Sequence, residues 1–255
     1  MFDTGAGTHV GNVRERNEDR FLSKPRAGLW AVADGMGGHE AGDLASQIIV
    51  DSLNAIEAPS SAAELLRQCE QQIVHANEQL REVSQKRGGA VLGATIAVLL
   101  VYDRHYACVW SGDSRIYLVR GGAIEQLSRD HTEVQQLLSK GAITPEEAKN
   151  WPNGNVVTRA IGVFDWPELE LSSGPLQAGD SFLICSDGLT QHVSDPELLQ
   201  QVVSSGAQQA CDRLIALTLE RGARDNVTVI VVRYPAARDT GRPLAGPADL
   251  WEAPR

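Results

Sequence analysis

Short apolar runs separated by turn residues predict that much of the chain forms β-strands. Seven runs are rich in Val, Ile and aromatic residues and are bounded by Gly, Asp or Asn, as strands commonly are. They are RFLSK (20–24), LWAVAD (29–34), GATIAVLLVY (93–102), YACVWSGD (106–113), RIYLVRGG (115–122), SFLICSD (181–187) and NVTVIVVRY (226–234). The stretch 106–127 also predicts two successive hairpins, which turn at Gly112-Asp113 and at Gly121-Gly122.

Apolar positions spaced three and four residues apart predict three amphipathic helices between these strands. The first apolar face runs over 41–56, the second over 65–83 and the third over 210–217. Ser61 and Glu64 have the spacing of a capping box at the start of the second helix.

The order of these elements favours an α+β fold of packed layers over alternating βαβ units. A polar segment, 139–155, holds another capping box that begins at Thr144 and has proline at the first helical position. Because this segment has few large apolar residues, we expect it to leave the core. We interpret 1–234 as one domain and the Pro-, Ala- and Gly-rich residues 235–255 as a disordered tail.

The composition and net charge of the chain exclude some classes of protein. The chain has 255 residues, is 42% hydrophobic and 22% charged, and carries a formal net charge of −10. This charge argues against a nucleic-acid binder, which would need a basic face. It is compatible with clustered carboxylates that bind divalent cations, although many proteins are acidic for solubility alone.

The four cysteines form no Cys-x-x-Cys pair, and most lie in apolar runs, so we expect them to pack in the core of a cytoplasmic protein. The N-terminal residues lack the pattern of a signal peptide. The longest apolar run, 90–102, is too short to span a bilayer. We therefore expect no membrane partner, and a monomer.

Acidic residues recur where an apolar strand meets a loop. Asp34 ends the run LWAVAD and is followed by Gly-Met-Gly-Gly. The other such acids are Glu18 and Asp19 in RNED, Asp113 in SGDSR, Asp187 in CSDGLT and Asp225 in RDNVTV. Taken one at a time, Asp-Gly and Asp-Asn are most often simple turns.

Strand ends of a layered fold can converge on one rim, which would bring these carboxylates together. Like charges in contact would force some of them to bind protons, whereas divalent cations would neutralise them. An all-oxygen site of carboxylates suits Mg²⁺ or Mn²⁺. The glycines after Asp34 would let the backbone approach such an ion closely, and Gly35 could supply its carbonyl oxygen.

The motifs taken together resemble those of a known family. VRERNED, ADGMGGHEAGDLAS, GAT, SGDSRIYLVRGG, CSDGLT and RDNVTVIVV occur between residues 8 and 233. In order and approximate spacing they resemble the metal-dependent protein phosphatases, the type-2C serine/threonine family, and are most similar to its bacterial branch. The resemblance implies a four-layer αββα sandwich of two antiparallel β-sheets flanked by helix pairs, with 139–155 as a flap beside the metal cleft.

The resemblance also implies a centre of two Mn²⁺ or Mg²⁺ ions. By similarity, Asp34 bridges the two ions, the Gly35 carbonyl binds one of them, and Asp187 and Asp225 bind the other. Asp113 resembles the acid that, together with Asp187, holds a third ion in bacterial members.

The same resemblance implies roles for three further residues. Glu18 and Asp19 are implied to act mainly by contacting metal-bound water or the metal ligands themselves. Arg14 resembles the arginine that grips the substrate phosphate. The implied catalytic residues are therefore Arg14, Asp34 and Asp187.

The implied reaction is hydrolysis of phosphoserine and phosphothreonine in proteins, which reverses a bacterial Ser/Thr kinase. A water that bridges two cations has a lowered pKa and can attack phosphorus in line, without a covalent intermediate. Arg14 can hold two phosphate oxygens at once because its guanidinium is planar and always charged.

The chain departs from the family pattern in two places. It reads VLGAT (91–95) where the family often reads Gly-Met-Gly-Thr-Thr, which concerns loop packing more than chemistry. Met36 stands where some members have a histidine that is a proposed general acid. The proton donor is therefore unassigned. His39 is close in sequence, but it is explained equally well as a surface histidine near the start of a helix.

The sequence also bears on two other kinds of protein. A thiol phosphatase needs Cys-x5-Arg, and Arg115 lies one position too far from Cys108. A phosphatase-like module that binds partners without turnover would have lost a central acid. Asp34, Asp187 and Asp225 are all present, which favours the enzyme.

Overall fold

The computed structural model describes residues 2–37, 41–148, 151–152, 154 and 156–235. Within them, every strand pairing is antiparallel and the strands form two sheets. The predicted tail lies outside the described residues beyond 235, as do His39 and four residues of the predicted flap.

The first sheet lies on the side of the molecule that carries the C-terminal helices. Its strands are β1 (Asp3–His9), β7 (Arg115–Arg120), β8 (Ala123–Gln126), β10 (Ser181–Cys185) and β11 (Val227–Arg233). Their order across the sheet is β1-β11-β10-β7-β8, so the two ends of the domain lie side by side in β1 and β11.

The second sheet contains the remaining strands. They are β2 (Asp19–Lys24), β3 (Leu29–Met36), β4 (Gly93–Ala94), β5 (Ile96–Tyr102), β6 (His105–Ser111) and β9 (Glu170–Pro175). The order is β2-β3-β5-β6-β9, and the short strand β4 pairs with the end of β3.

Helices cover the outer face of each sheet. The helices α1 (Ala41–Asn54) and α2 (Ala62–Lys86) pack on the second sheet, while α5 (Asp187–Thr190), α6 (Asp195–Ser204) and α7 (Ala207–Glu220) pack on the first. Two short helices have no buried residues: α3 (Glu133–Ser139) leads into the predicted flap, 139–155, and α4 (Pro145–Ala148) lies within it.

Alternate residues of the central strands face different layers. In β3, Leu29 and Ala31 pack against α1 and α2, whereas Trp30 and Val32 pack between the sheets. In β10, Phe182 faces the inter-sheet layer and Leu183 faces the helices. Because both faces of these strands are buried, their sequences are continuous apolar runs. The predicted αββα sandwich is confirmed.

One of the two predicted hairpins is wrong. The turn at Gly121-Gly122 joins β7 and β8, with Arg120 opposite Ala123. At Gly112-Asp113, by contrast, the chain leaves β6 in one sheet and enters β7 in the other. A Gly-Asp turn between apolar strands looks the same in both cases, because the partner of each strand is decided by distant residues.

The structure tests the predicted helix caps and contains elements that the sequence pattern does not predict. Ser61 accepts a hydrogen bond from the Glu64 amide, but the Glu64 carboxylate accepts from the Ser60 amide rather than from that of Ser61. At Thr144 the capping box is reciprocal with Glu147. The elements β1, β9 and α6 were not predicted, since their apolar patterns are weak.

The four cysteines are all buried free thiols, as expected for residues that pack in the core. Among the described residues, no helix is long and apolar enough to cross a membrane.

Candidate metal centre

The predicted site residues meet at one end of the sandwich. A cavity of about 160 Å³ lies where strands of both sheets end, and its wall includes Glu18, Asp34, Asp113, Asp187 and Asp225, together with Arg14, Gly35, Met36, Thr95, Val157 and Asn226. Asp34 lies near the end of β3, Asp187 begins α5 and Asp225 precedes β11. The acids thus come from segments far apart in the chain and are assembled by the packing of the two sheets.

Asp19 is the one predicted metal residue that lies behind the cavity wall. It is buried, and it pairs with Asp34 across β2 and β3. Its Oδ2 accepts a hydrogen bond of 2.8 Å from the Ser186 hydroxyl, which itself accepts from the Thr228 amide at 3.0 Å. Asp19 therefore links the carboxylates of the second sheet to the backbone of the first.

Arg14 reaches into the cavity from the loop after β1. Its guanidinium donates a hydrogen bond of 2.8 Å to Oδ2 of Asp225, and this bond raises the pKa of Arg14. In this structure the predicted phosphate-binding arginine is therefore held by a predicted metal ligand. This bond uses one of the five N–H donors of the guanidinium, which leaves the others for a phosphate.

Asn226 organises the loop that carries Arg14 and Glu18. Its Oδ1 accepts from the Glu18 amide at 2.7 Å, and its Nδ2 donates to the carbonyls of Val10 and Arg16 at 2.8 and 2.9 Å. The sequence analysis did not identify this residue, although it directly follows Asp225 in a motif that was noted.

The glycines after Asp34 serve packing between backbone segments. A Cβ on Gly35 would lie 2.1 Å from the Gly42 carbonyl oxygen and 2.7 Å from that of Glu18, and one on Gly37 would lie 2.4 Å from the Val91 carbonyl. Glycine is required at 35 and 37 by the contact of this segment with the start of α1 and with the loop before β4. The approach of a metal ion to the Gly35 carbonyl stays a prediction.

Gly188 has a similar constraint beside Asp187. A Cβ at this position would lie 1.9 Å from the carbonyl oxygen of Asn226, so only glycine lets α5 begin this close to β11. Asp187 is oriented further by Gln191, whose amide donates to its Oδ2 at 2.6 Å.

The carboxylates are too crowded to be ionised together. Burial raises the pKa of Asp34 well above its usual value, with Asp19 and Asp187 as the leading neighbouring charges. Burial also raises the pKa of Asp19 to about 7 and that of Asp113 to about 8. The pKa of Asp187 is raised by burial and by Asp225. A cation would relieve this repulsion, whereas without one the cluster must retain protons.

The chemistry of the donors fits a hard divalent cation. The set consists of oxygen atoms, and two buried carboxylate oxygens, Oε1 of Glu18 and Oδ1 of Asp19, have no hydrogen-bond partner among the described residues. As the side chains stand, however, no three acidic, histidine or cysteine side chains of the described residues are placed to hold an ion. Binding would therefore require local rotation of side chains in the cluster.

A buried histidine fixes the loop that carries Asp113. His131 accepts a hydrogen bond from the Gly112 amide at its Nδ1 (3.0 Å), and its own amide donates to the Gly112 carbonyl (2.9 Å). Its carbonyl accepts from the amide of Thr158 at 2.7 Å, and its ring stacks on Trp110. His131 thereby joins both ends of the predicted flap to the crossover between the sheets. As a lone histidine, it carries no sequence signal.

Comparisons with known proteins place the chain in a family. A family model described as protein phosphatase 2C matches residues 6–227. The serine/threonine protein phosphatase PstP of Mycobacterium tuberculosis is 36% identical over 222 residues, which are 87% of this chain and 43% of PstP. The chain therefore spans less than half the length of that relative.

Two solved structures are similar over most of their length. PppA, described as a key regulatory component of T6SS in Pseudomonas aeruginosa, is 43% identical with a TM-score of 0.84, over 91% of this chain and 97% of that one. The catalytic domain of PstP in complex with two manganese ions is 35% identical with a TM-score of 0.81, again over 91% and 97%.

Proposed function

The chain belongs to the protein phosphatase 2C family, and from that premise we propose that it is a metal-dependent phosphatase of phosphoserine and phosphothreonine in proteins. The observation that carries the proposal is the cavity of about 160 Å³, whose wall brings together five acids from distant segments beside an arginine. The substrates would be phosphorylated proteins, the targets of a Ser/Thr kinase. The similarity to PstP, PppA and the manganese-containing catalytic domain supports this assignment.

In this proposal the acidic cluster holds two Mn²⁺ or Mg²⁺ ions. Asp34, Asp187 and Asp225 are the central ligands, and the Gly35 carbonyl completes the set. Asp113 would serve a third ion, with Glu18 and Asp19 behind the ligands. When bound, the cations supply positive charge that stabilises the phosphoryl group in its transition state and lowers the pKa of the attacking water.

The chain's own residues provide binding and orientation. Arg14 would leave Asp225 when a cation neutralises that carboxylate, and its planar guanidinium would then bind two phosphate oxygens. Asn226 holds the loop on which Arg14 is carried, and Ser186 holds Asp19 in place. Met36 and Val157 are the apolar residues with large side chains in the cavity wall.

The test is hydrolysis of p-nitrophenyl phosphate and of a phosphothreonine peptide by the purified protein. We expect turnover with Mn²⁺ or Mg²⁺ and none after treatment with EDTA. Calorimetry measures metal binding in the same preparation. If Mn²⁺ binds tightly and neither substrate is turned over, the protein is a phosphatase-like binding module and the proposed enzyme is wrong.

A further inference from the structure

A second and larger cavity opens directly beside the candidate metal centre. This groove has a volume of about 760 Å³, and Arg14 and Glu18 line both it and the smaller cavity. Its far wall is the connection between α2 and β4, formed by Arg87, Ala90, Val91 and Leu92. The two cavities are therefore neighbours that share a wall.

The two cavities differ in volume and therefore suit different parts of a substrate. The smaller one, at about 160 Å³, has about one fifth of the volume of the groove. That volume lies below the range of about 300–1,000 Å³ that is typical of sites for whole ligands of several rings, so the peptide that flanks a phosphorylated residue would lie mainly outside it. The groove of about 760 Å³ lies within the range of sites that hold ligands of several residues or rings.

The far wall is held in place relative to the centre. The Ser84 hydroxyl donates to the Ala90 carbonyl at 2.7 Å, across a turn in which Gly88 and Gly89 have left-handed φ values of 77° and 83°. The Val91 carbonyl packs against Gly37, three residues after Asp34, so closely that a Cβ there would lie 2.4 Å from it. A ligand on this wall is thus at a defined distance from the metal centre.

The charge of the groove differs from that of the whole protein. Its described lining contains three arginines, at 14, 16 and 87, and two glutamates, at 15 and 18, in a chain with a formal net charge of −10. Arg87 is exposed, and its guanidinium has no hydrogen-bond or ion-pair partner among the described residues. Val91, next to it in the wall, exposes 60% of its surface.

We propose that this groove binds the peptide that flanks the phosphorylated residue of the substrate. Arg87 selects an acidic side chain in that peptide, and Val91 contacts an apolar one. The inference rests on the proposed phosphatase function and adds to it a substrate class, phosphopeptides with acidic flanks. Because the contact is electrostatic and exposed, its strength should fall as salt is raised.

The test compares phosphothreonine peptides that carry acidic, neutral or basic residues on one side of the phosphothreonine, and then on the other. The enzymes are the unmodified chain, Arg87→Glu and Arg213→Glu. Arg213 is the matched control, since it is an exposed arginine on α7, which packs on the other sheet. Substrates are assayed at low and high salt, with p-nitrophenyl phosphate as a substrate that has no flank.

We expect the unmodified chain to prefer the acidic over the basic peptide by about tenfold in kcat/KM at low salt, mainly through KM, a difference of about 1.4 kcal/mol. Arg87→Glu should reverse the preference and leave p-nitrophenyl phosphate turnover within about twofold, and Arg213→Glu should change neither. Equal turnover of acidic and basic peptides by the unmodified chain would overturn the proposal. So would an Arg87→Glu variant that loses p-nitrophenyl phosphate turnover as much as peptide turnover.

Peptide binding separates this inference from the phosphatase function. Fluorescence anisotropy with labelled phosphopeptides measures affinity in the Asp34→Asn protein, where no turnover is needed. We expect the Asp34→Asn protein to bind the acidic phosphopeptide more tightly than the basic one, and the Asp34→Asn, Arg87→Glu double variant to lose this difference. That result supports peptide binding in the groove even if no hydrolysis is found. Absence of turnover with p-nitrophenyl phosphate counts only against the proposed function.

Discussion

At Asp34 the charges of the site are most crowded. Its side chain is half-buried in the cavity wall, and its pKa is raised by burial and by the neighbouring acids Asp19, Asp187, Asp113 and Asp225. An asparagine at this position has nearly the same shape, but its neutral amide would hold a hard divalent cation more weakly than a carboxylate would. The substitution therefore separates the role of the charge from that of the packing.

We expect Asp34→Asn to lower Mn²⁺-dependent hydrolysis by about 100- to 1,000-fold or more, as for loss of a central electrostatic group. The metal-free variant should be at least as stable as the unmodified protein at pH 8, because one repelling carboxyl is gone. Thermal unfolding in EDTA measures the second effect. Asp212→Asn on the exposed face of α7 is the control. Full activity of Asp34→Asn would rule out a bridging role.

Gly35 offers a test of the close contact between β3 and α1. A methyl group there would collide with the carbonyls of Gly42 and Glu18. Gly206 is a matched control, since a Cβ there would meet nothing within 4 Å and its φ of −58° suits any residue.

We expect Gly35→Ala to destabilise the fold by about 1–3 kcal/mol through overpacking, and to weaken Mn²⁺ binding because Glu18 and Asp34 shift. Gly206→Ala should change stability by less than about 1 kcal/mol. Urea unfolding and Mn²⁺ titration report the two effects. A Gly35→Ala protein of normal stability would show that α1 adjusts freely.

At the scale of elements, the crossover between β6 and β7 is the unexpected feature. It carries Asp113 from one sheet to the other, and it is closed by the pair of hydrogen bonds between Gly112 and His131. Burial lowers the pKa of His131, which keeps its ring neutral and its Nδ1 able to accept. The bridge between Thr132 and Val157 then closes the base of the predicted flap.

We expect His131→Ala to destabilise the protein by about 1–3 kcal/mol, because the buried Gly112 amide loses its acceptor. It should also weaken activation by Mn²⁺, since Asp113 is no longer held. His131→Asn keeps an acceptor near the position of Nδ1 and should recover part of both losses, which a general packing defect would not. If the two variants behave alike, the hydrogen bond to Gly112 is not what positions the loop.

At the scale of the whole molecule, the packing of the two sheets stabilises the fold, whereas the crowded acids at one end of the sandwich destabilise it. The three apolar layers bury both faces of the central strands, while the acids at the strand ends have pKa values raised toward neutrality. Raised pKa values mean that the folded state binds more protons than the unfolded one. The stability from this source is present at low pH and is lost as pH rises through the folded values of about 7 and 8 for Asp19 and Asp113.

We therefore expect the metal-free protein to lose about 2 kcal/mol of stability between roughly pH 6.5 and 8. Mn²⁺ should raise Tm more at pH 8 than at pH 6.5, because binding needs ionised carboxylates. Thermal unfolding with EDTA or Mn²⁺ across this range measures both. Asp113→Asn should flatten the slope in EDTA. A metal-free Tm that is constant or rises with pH would contradict the crowded-acid description.

The sequence by itself determined the local elements and the chemistry that they carry. The apolar runs predicted seven strands, the helical periodicity predicted α1, α2 and α7, and the acids at strand ends predicted the residues of the cavity wall. These signals are local, because propensity, turn residues and periodicity act within about ten positions. The motifs also sufficed for the family, which the comparisons confirm.

Only the tertiary structure decided which strands pair and which side chains meet. The Gly112 crossover, the bond of Arg14 to Asp225 and the groove beside Arg87 depend on residues that are distant in the chain. Asp19 and Ser186, for example, lie 167 positions apart and share a hydrogen bond. Such contacts follow from burying whole faces of two sheets against each other, a condition that no short stretch of sequence contains.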